Sequence, residues 1–130
     1  MQEQSKPMTI VGWTLSVLVI LFLIMDLSMK FMQLPIVLST TEQLGWPTSS
    51  VTTLAVLLSV ATALYAFPQT SVLGAILLTG YLGGAVATHV RIGSPLFSHV
   101  LFGVYLGLFV WGGLYLRDAR IRALIPIRGN

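Results

Sequence analysis

The sequence predicts an all-α integral membrane protein: a four-helix bundle in one domain that covers all 130 residues. Hydrophobic residues make up 55% of the chain and charged residues only 8%, whereas soluble domains carry roughly 25% charged residues. Four apolar segments are long enough to cross a hydrocarbon core of roughly 30 Å. None of them alternates polar and apolar residues as the strands of a membrane β-barrel do. These observations exclude a soluble globular or disordered protein.

The four predicted spans are residues 9–31, 51–67, 71–90 and 99–116. Helices suit these spans because they satisfy their own backbone hydrogen bonds in lipid. The first span is too long for the apolar core of a signal peptide and has no Ala-x-Ala cleavage site after it, so we expect it to be retained. The segment 32–50 is long enough for a short interfacial helix. The second and third spans are separated only by residues 68–70, which predicts a tight helical hairpin.

The basic residues predict the orientation of the chain in the membrane. With four spans both termini lie on one side, and that side holds most of the lysines and arginines: Lys6, Arg117, Arg120, Arg122 and Arg128. The opposite side holds Lys30 and Arg91. Because cytoplasmic loops are enriched in Lys and Arg, both termini should be cytoplasmic, in a multi-pass protein of the cell (inner) membrane. The basic tail is explained by topology, so no nucleic-acid partner is expected. Trp13 and Trp111 fit an interfacial aromatic belt.

This orientation places polar side chains of the spans near the outer face. They are Asp26, Lys30, His89, Arg91 and His99. Asp26 and Lys30 are four residues apart on one helical face, so they are expected to pair. An ion pair that fixes helix register would explain them, but ionisable groups inside a membrane more often mark a functional site. We expect nothing comparable in the inner half of the spans, which makes transport of a proton or small solute the least favoured function.

His89 and His99 bracket one loop and allow several interpretations. They could donate hydrogen bonds to a quinone or another polar headgroup, move protons, or simply bond to backbone or lipid headgroups. A metal or haem is a weaker alternative, because their spacing is not a recognised ligand pattern and the chain has no cysteine. We therefore expect no metal site. The sequence contains none of the usual enzyme motifs, so it leaves open whether the protein is an enzyme.

Two Gly-x-x-x-Gly patterns predict how the third and fourth spans meet. Gly80 and Gly84 lie on the third span, and Gly103 and Gly107 lie on the fourth. Glycine lets helix backbones approach closely, and close packing drives helix association in lipid. The two spans are expected to pack through these faces. Alternatively, one face forms a homodimer.

Three stretches resemble one family of membrane proteins. They are Asp26-Leu-Ser-Met-Lys30, the segment 75–99 with its Thr-Gly-Tyr-Leu-Gly-Gly core, and the segment 111–126. They are similar to the DoxX-like family of small four-helix bacterial membrane proteins. The resemblance implies a four-helix bundle, and its best-known members belong to a membrane subunit of thiosulfate:quinone oxidoreductase. Many relatives carry an acidic residue midway along the second span, near Leu58, and this chain does not.

The resemblance and the residues together suggest two functions. The leading hypothesis is a quinone-binding or redox-linked accessory subunit, with Asp26, Lys30, His89, Arg91 and His99 lining a pocket near the outer face. Quinone is then the cofactor, and a partner subunit carries the redox centre. The alternative is a non-enzymatic assembly subunit whose glycine faces dock another membrane protein. Contact with the lipid bilayer is expected in both cases.

Overall fold

The computed structural model describes residues 4–125, and the helices in that range are these six: α1 (Lys6–Phe31), α2 (Pro35–Gln43), α3 (Ser50–Ala66), α4 (Ser71–Arg91), α5 (Phe102–Arg117) and α6 (Ala119–Leu124). A 3₁₀ turn, Pro68–Thr70, joins α3 to α4, and a π-helical turn, Leu96–Val100, precedes α5. The described residues contain no strand. The prediction of an all-α chain is confirmed.

The helices begin and end where local sequence dictates. The Ser5 side chain accepts a hydrogen bond from the backbone N–H of Met8 and caps α1, with a proline in the first turn. Gln33 takes a left-handed conformation, φ 51°, between α1 and α2. Pro35 then starts α2, the short helix expected between the first two spans. The Asp118 side chain caps α6 by accepting from the backbone N–H of Arg120.

Three helical segments are long and apolar enough to cross a membrane: Lys6–Phe31, Pro68–Arg91 and Leu96–Arg117. Helix α3 is apolar but has 17 residues, a length of about 25 Å at 1.5 Å per residue. Many large apolar side chains on these helices are exposed, among them Leu21 and Leu108. The prediction of a helical membrane protein in contact with the bilayer is confirmed. The number of spans and the side of the termini stay predictions.

The four longest helices pack against one another around a shared core. Helix α1 packs against α3 and α5, and α4 packs against the same two helices. The core between them is apolar, with Leu23, Leu58, Leu78 and Leu114 almost fully buried. Leu58 is completely enclosed in this core. An uncharged side chain suits that position, because an unpaired buried charge is costly.

The predicted glycine faces need correction. Helices α4 and α5 do pack together, but only Gly103 makes the close contact: a Cβ there would meet Val86 at 2.9 Å and the Leu82 carbonyl at 3.0 Å. A Cβ on Gly80, Gly84 or Gly107 would meet nothing within 4 Å. These three glycines therefore do not bring α4 and α5 together. Whether they serve a homodimer stays a prediction.

The closest helix approaches use other glycines. A Cβ on Gly12 of α1 would lie 2.8 Å from the Gly113 carbonyl of α5, and a Cβ on Gly113 would overlap the hydroxyl of Ser16. A Cβ on Gly74 of α4 would overlap the backbone of Tyr65 on α3. Only glycine fits at these crossings, so they fix the α1–α5 and α3–α4 contacts.

Candidate functional site

The bundle has two chemically different ends. We call the end with Asp26, His89 and His99 the histidine end, and the end with Trp13 and Arg117 the arginine end. A partly open cavity of about 920 Å³ begins at the histidine end and extends between the helices. Residues of α1, α2, α3, α4 and α5 all line it. This volume is within the range of sites that hold small molecules.

Four of the five predicted site residues line this cavity: Asp26, Lys30, His89 and His99. The Lys30 ammonium lies 2.6 Å from the Asp26 carboxylate, so the expected ion pair within α1 is confirmed. The Lys30 side chain is largely shielded at 16% exposure, whereas that of Asp26 is partly exposed at 37%. Each group supplies a counter-charge for the other beside an otherwise apolar surface.

The two histidines lie against each other at the mouth of the cavity. Their ring centroids are 5.7 Å apart and the rings meet edge to face. The Nδ1 atom of His89 lies 2.9 Å from the Ser94 hydroxyl, and that of His99 lies 2.7 Å from the Ser98 hydroxyl. These contacts fix both rings through Nδ1. Each ring therefore keeps its Nε2 atom for another hydrogen bond, as donor or acceptor according to its tautomer.

Arg91 does not line the cavity. Its guanidinium reaches from the end of α4 to the segment after α2, where Nη2 donates a 2.7 Å hydrogen bond to the Leu44 carbonyl. Leu44 is itself part of the cavity wall. Arg91 thus holds a wall of the cavity rather than facing its interior.

Sequence reasoning missed several cavity residues. Tyr81 is half-buried in the lining and interacts electrostatically with Asp26. It lies eight residues before His89, about two helical turns, so helical periodicity placed both on one face of α4. Thr41 and Trp46 also line the cavity, as part of the wall that α2 contributes. No sequence signal distinguished α2 as a cavity wall from a helix lying elsewhere on the surface.

The arginine end holds a buried polar network that the sequence did not predict. Arg117 Nε donates to Ser16 Oγ at 3.1 Å, and Ser16 Oγ lies 2.9 Å from the Tyr65 hydroxyl. The Tyr65 hydroxyl donates to the Val110 carbonyl at 2.7 Å. Because the Tyr65 proton is used there, Ser16 must donate to Tyr65. The hydrogen bonds therefore run in one direction, from Arg117 to a backbone carbonyl.

Further contacts hold the Arg117 guanidinium in place. Its Nη2 lies 3.4 Å from the Ser71 hydroxyl, and its centre lies 3.9 Å above the Trp13 ring. Ser16, Tyr65 and Ser71 are almost completely buried. The sequence led us to expect no such groups in the half of the spans opposite the histidines, but Arg117 folds back among the helices there instead of extending toward solvent. These residues are distant in sequence, so no local pattern signals the network.

In the part of the chain that the structure describes, no three His, Asp or Glu side chains are grouped so that they could hold a metal ion. The chemistry available at the histidine end is hydrogen bonding and one ion pair beside a large apolar surface. Such an arrangement suits a ligand with a polar head and an apolar body.

No curated protein and no solved structure is significantly similar to this chain. The profile of the DoxX-like family matches residues 14–113, which includes α1 from its third turn, α2, α3, α4 and most of α5. The match covers the whole cavity lining with both of its histidines, but it includes neither Trp13 nor Arg117 at the arginine end. This chain belongs to the DoxX-like family.

Proposed function

We propose that the protein binds a quinone, or a closely similar amphiphile, in the cavity at the histidine end, as an accessory subunit of a redox system. The observation that carries this proposal is the division of the cavity lining. Its charged and imidazole groups gather at one end, whereas Leu54, Leu57, Ile76 and Leu77 make the remainder apolar. Ligand sites typically combine an apolar body with a few placed polar groups.

The polar end supplies the hydrogen bonds that a quinone ring needs. A quinone carbonyl accepts hydrogen bonds, and the Nε2 atoms of His89 and His99 are not held by the serines that fix Nδ1. The Lys30 ammonium retains donors beyond the one directed at Asp26. We expect one imidazole to donate to a ring carbonyl, with Lys30 as the second donor.

The apolar part would hold the isoprenoid tail. Gly80 and Gly84 line the cavity on the α4 side, and a Cβ at either would meet open space. The wall is therefore flat there and leaves room for a chain. The electrons would come from a partner protein, because a chain without cysteine has no thiol redox centre of its own.

The proposal includes a membrane placement. We infer that α3, despite its 17 residues, crosses the cell membrane together with the three longer helical segments, which gives four spans. Both termini then lie on the cytoplasmic side. Lys6, Arg117, Arg120 and Arg122 lie toward the arginine end, which supports placing that end at the cytoplasmic face. The histidine end then lies near the outer face, where a membrane quinone reaches it laterally.

A quinone titration tests the proposal. The purified chain in lipid nanodiscs should bind a ubiquinone or menaquinone analogue saturably, measured by quenching of tryptophan fluorescence. His99→Ala and Lys30→Met should each weaken binding about tenfold, the effect of losing one hydrogen bond to a charged or buried group. Non-saturable uptake that matches protein-free nanodiscs would reject the proposal.

Two glycine variants provide a matched pair. Gly84→Leu places a side chain inside the cavity and should abolish binding. Gly83→Leu adds the same side chain at the preceding residue, which does not line the cavity. A Cβ there also meets open space. It should leave binding unchanged. Equal effects of the two variants would show that the ligand is held elsewhere.

A further inference from the structure

One wall of the cavity is loosely attached. Helix α2 contributes Ile36, Val37, Thr40 and Thr41 to the lining. Its closest helix neighbour is α3, and that contact is far smaller than those among α1, α3, α4 and α5. Thr41 is the only residue of α2 that is buried. The wall therefore has little packing to hold it in place.

Sharp turns bound this wall on both sides. Gln33 before α2 has φ 51°, and Gly45 after it has φ 87°. Both values lie in the left-handed region, where single residues reverse the chain direction rather than continue a helix. Helix α2 is thus joined to α1 and to the start of α3 by turns, so it is not a rigid extension of either helix.

Two side-chain hydrogen bonds join the segment 33–45 to the long helices within the described residues. At its start, Gln33 Nε2 donates to Thr52 Oγ1 at 3.1 Å. At its end, Arg91 Nη2 donates to the Leu44 carbonyl at 2.7 Å. A Cβ on Gly45 would lie 2.5 Å from that same Nη2. Gly45 therefore both permits the turn and leaves room for the guanidinium.

We propose that the segment 33–45 is a gate over the cavity, and that Arg91 is the positioning residue that holds it closed. Opening the gate exposes the histidine end of the cavity and gives a ligand its path in and out. The identity of that ligand rests on the proposed function, but the motion of the gate does not. Arg91 thereby acts through Leu44 and not by contact with the ligand.

Hydrogen–deuterium exchange tests the gate without any ligand. Arg91→Met keeps the apolar stem and removes the donor, so amides of residues 36–44 should exchange about fivefold faster, in line with the loss of one solvent-accessible charged hydrogen bond. Gly45→Ala should accelerate the same amides, because its side chain displaces the guanidinium. Amides of α4 and α5 should be unaffected. Arg120→Met, at the arginine end, is the control and should change nothing in α2.

The rates of quinone binding separate the gate from a ligand contact. If Arg91 holds a gate, Arg91→Met raises the association and dissociation rates together and leaves Kd within about twofold, since both rates pass through the open state. A raised dissociation rate with unchanged association would instead make Arg91 a ligand-binding residue. Unchanged exchange in residues 36–44 would overturn the gate even where quinone binds. Faster exchange without saturable quinone binding would reject the ligand and retain the gate.

Discussion

Arg117 is the residue whose role differs most between the sequence and the structure. Its guanidinium is partly buried at the arginine end and contacts Ser16, Ser71 and Trp13. In the described residues no carboxylate lies within ion-pair distance of it. Neutral hydroxyls and an aromatic face stabilise its charge instead. Since Trp13 and Ser16 are on α1 and Ser71 is on α4, one side chain of α5 ties three helices together.

Arg117→Met should destabilise the protein by about 2 kcal/mol, the sum expected for a charged hydrogen bond and a cation–π contact. The matched control is Arg120→Met, because the Arg120 side chain is 89% exposed and, among the described residues, its hydrogen bonds go to Asp118. Thermal unfolding in detergent, followed by circular dichroism, measures both. A drop in Tm for Arg117→Met with no drop for Arg120→Met is the expected result. Equal Tm values for all three proteins would contradict this role.

Asp118 gives the stability of α6 a pH dependence. Hydrogen bonds from Arg120 hold the pKa of the Asp118 carboxyl below its usual value of 3.8. A carboxyl whose folded-state pKa is lowered stabilises the fold fully above its unfolded pKa, and the contribution is lost as the pH falls through the folded value. Amide exchange in residues 119–124 should therefore be slow and steady above about pH 4, after correction for intrinsic rates, and protection should fall below it. Asp118→Asn should remove this pH dependence.

Residue-scale prediction succeeded where partners are neighbours in sequence. The Asp26–Lys30 pair follows from a spacing of four residues, and Tyr81 was within reach of the same argument. The Arg117 network joins residues more than a hundred positions apart, such as Ser16 and Arg117. A single sequence carries no signal for such a contact. The sequence shows only the charge of Arg117, so we interpreted this residue as a signal for the orientation of the chain in the membrane.

At the scale of elements, the helix crossings depend on glycines that no motif marked. Gly-x-x-x-Gly patterns predicted packing through Gly80, Gly84 and Gly107, and none of these has a neighbour close enough to need glycine. The crossing of α1 and α5 uses Gly12 and Gly113 instead, one from each helix. A motif within one helix reports a flat face, but it does not say which neighbour covers that face.

Gly113→Ala and Gly107→Ala test this assignment. The methyl group at position 113 would overlap Ser16 Oγ and lie 3.1 Å from the Gly12 carbonyl, so α1 and α5 must separate. The cost should be about 1–3 kcal/mol, as for other overpacked cores. The same change at position 107 meets open space and should be neutral or slightly stabilising, since alanine favours helix. Unfolding in a denaturing detergent titration measures both. Similar costs at the two positions would contradict the assigned crossing.

At the scale of the whole molecule, hydropathy correctly predicted where the long helices lie in the sequence. The predicted spans 9–31 and 71–90 closely match α1 and α4. The predicted span 99–116 lies within the apolar helical segment Leu96–Arg117, which begins with the π-helical turn before α5. The cavity was beyond prediction, because hydropathy identifies embedded segments but not the gaps left between them. Its existence depends on how five helices meet.

The orientation proposed for the chain is testable with introduced cysteines, because the natural sequence has none. In right-side-out membrane vesicles, a membrane-impermeant maleimide should label Glu42→Cys, beyond the histidine end. Arg120→Cys, beyond the arginine end, should be labelled only after the vesicles are opened. Both positions are exposed, so access to the reagent depends only on the side of the membrane. Labelling of both variants in closed vesicles would rule out opposite sides for these two ends.

The direction of the hydrogen bonds at the arginine end affects whether protons can leak through the protein across the membrane. A chain of hydroxyls conducts protons only if each can pass its hydrogen onward, and this chain ends on the Val110 carbonyl, which holds no proton to release. The fixed positive charge of Arg117 also repels cations that approach from that end. This network therefore does not relay protons through the arginine end. We expect vesicles that contain the protein to hold a pH gradient as long as empty ones do.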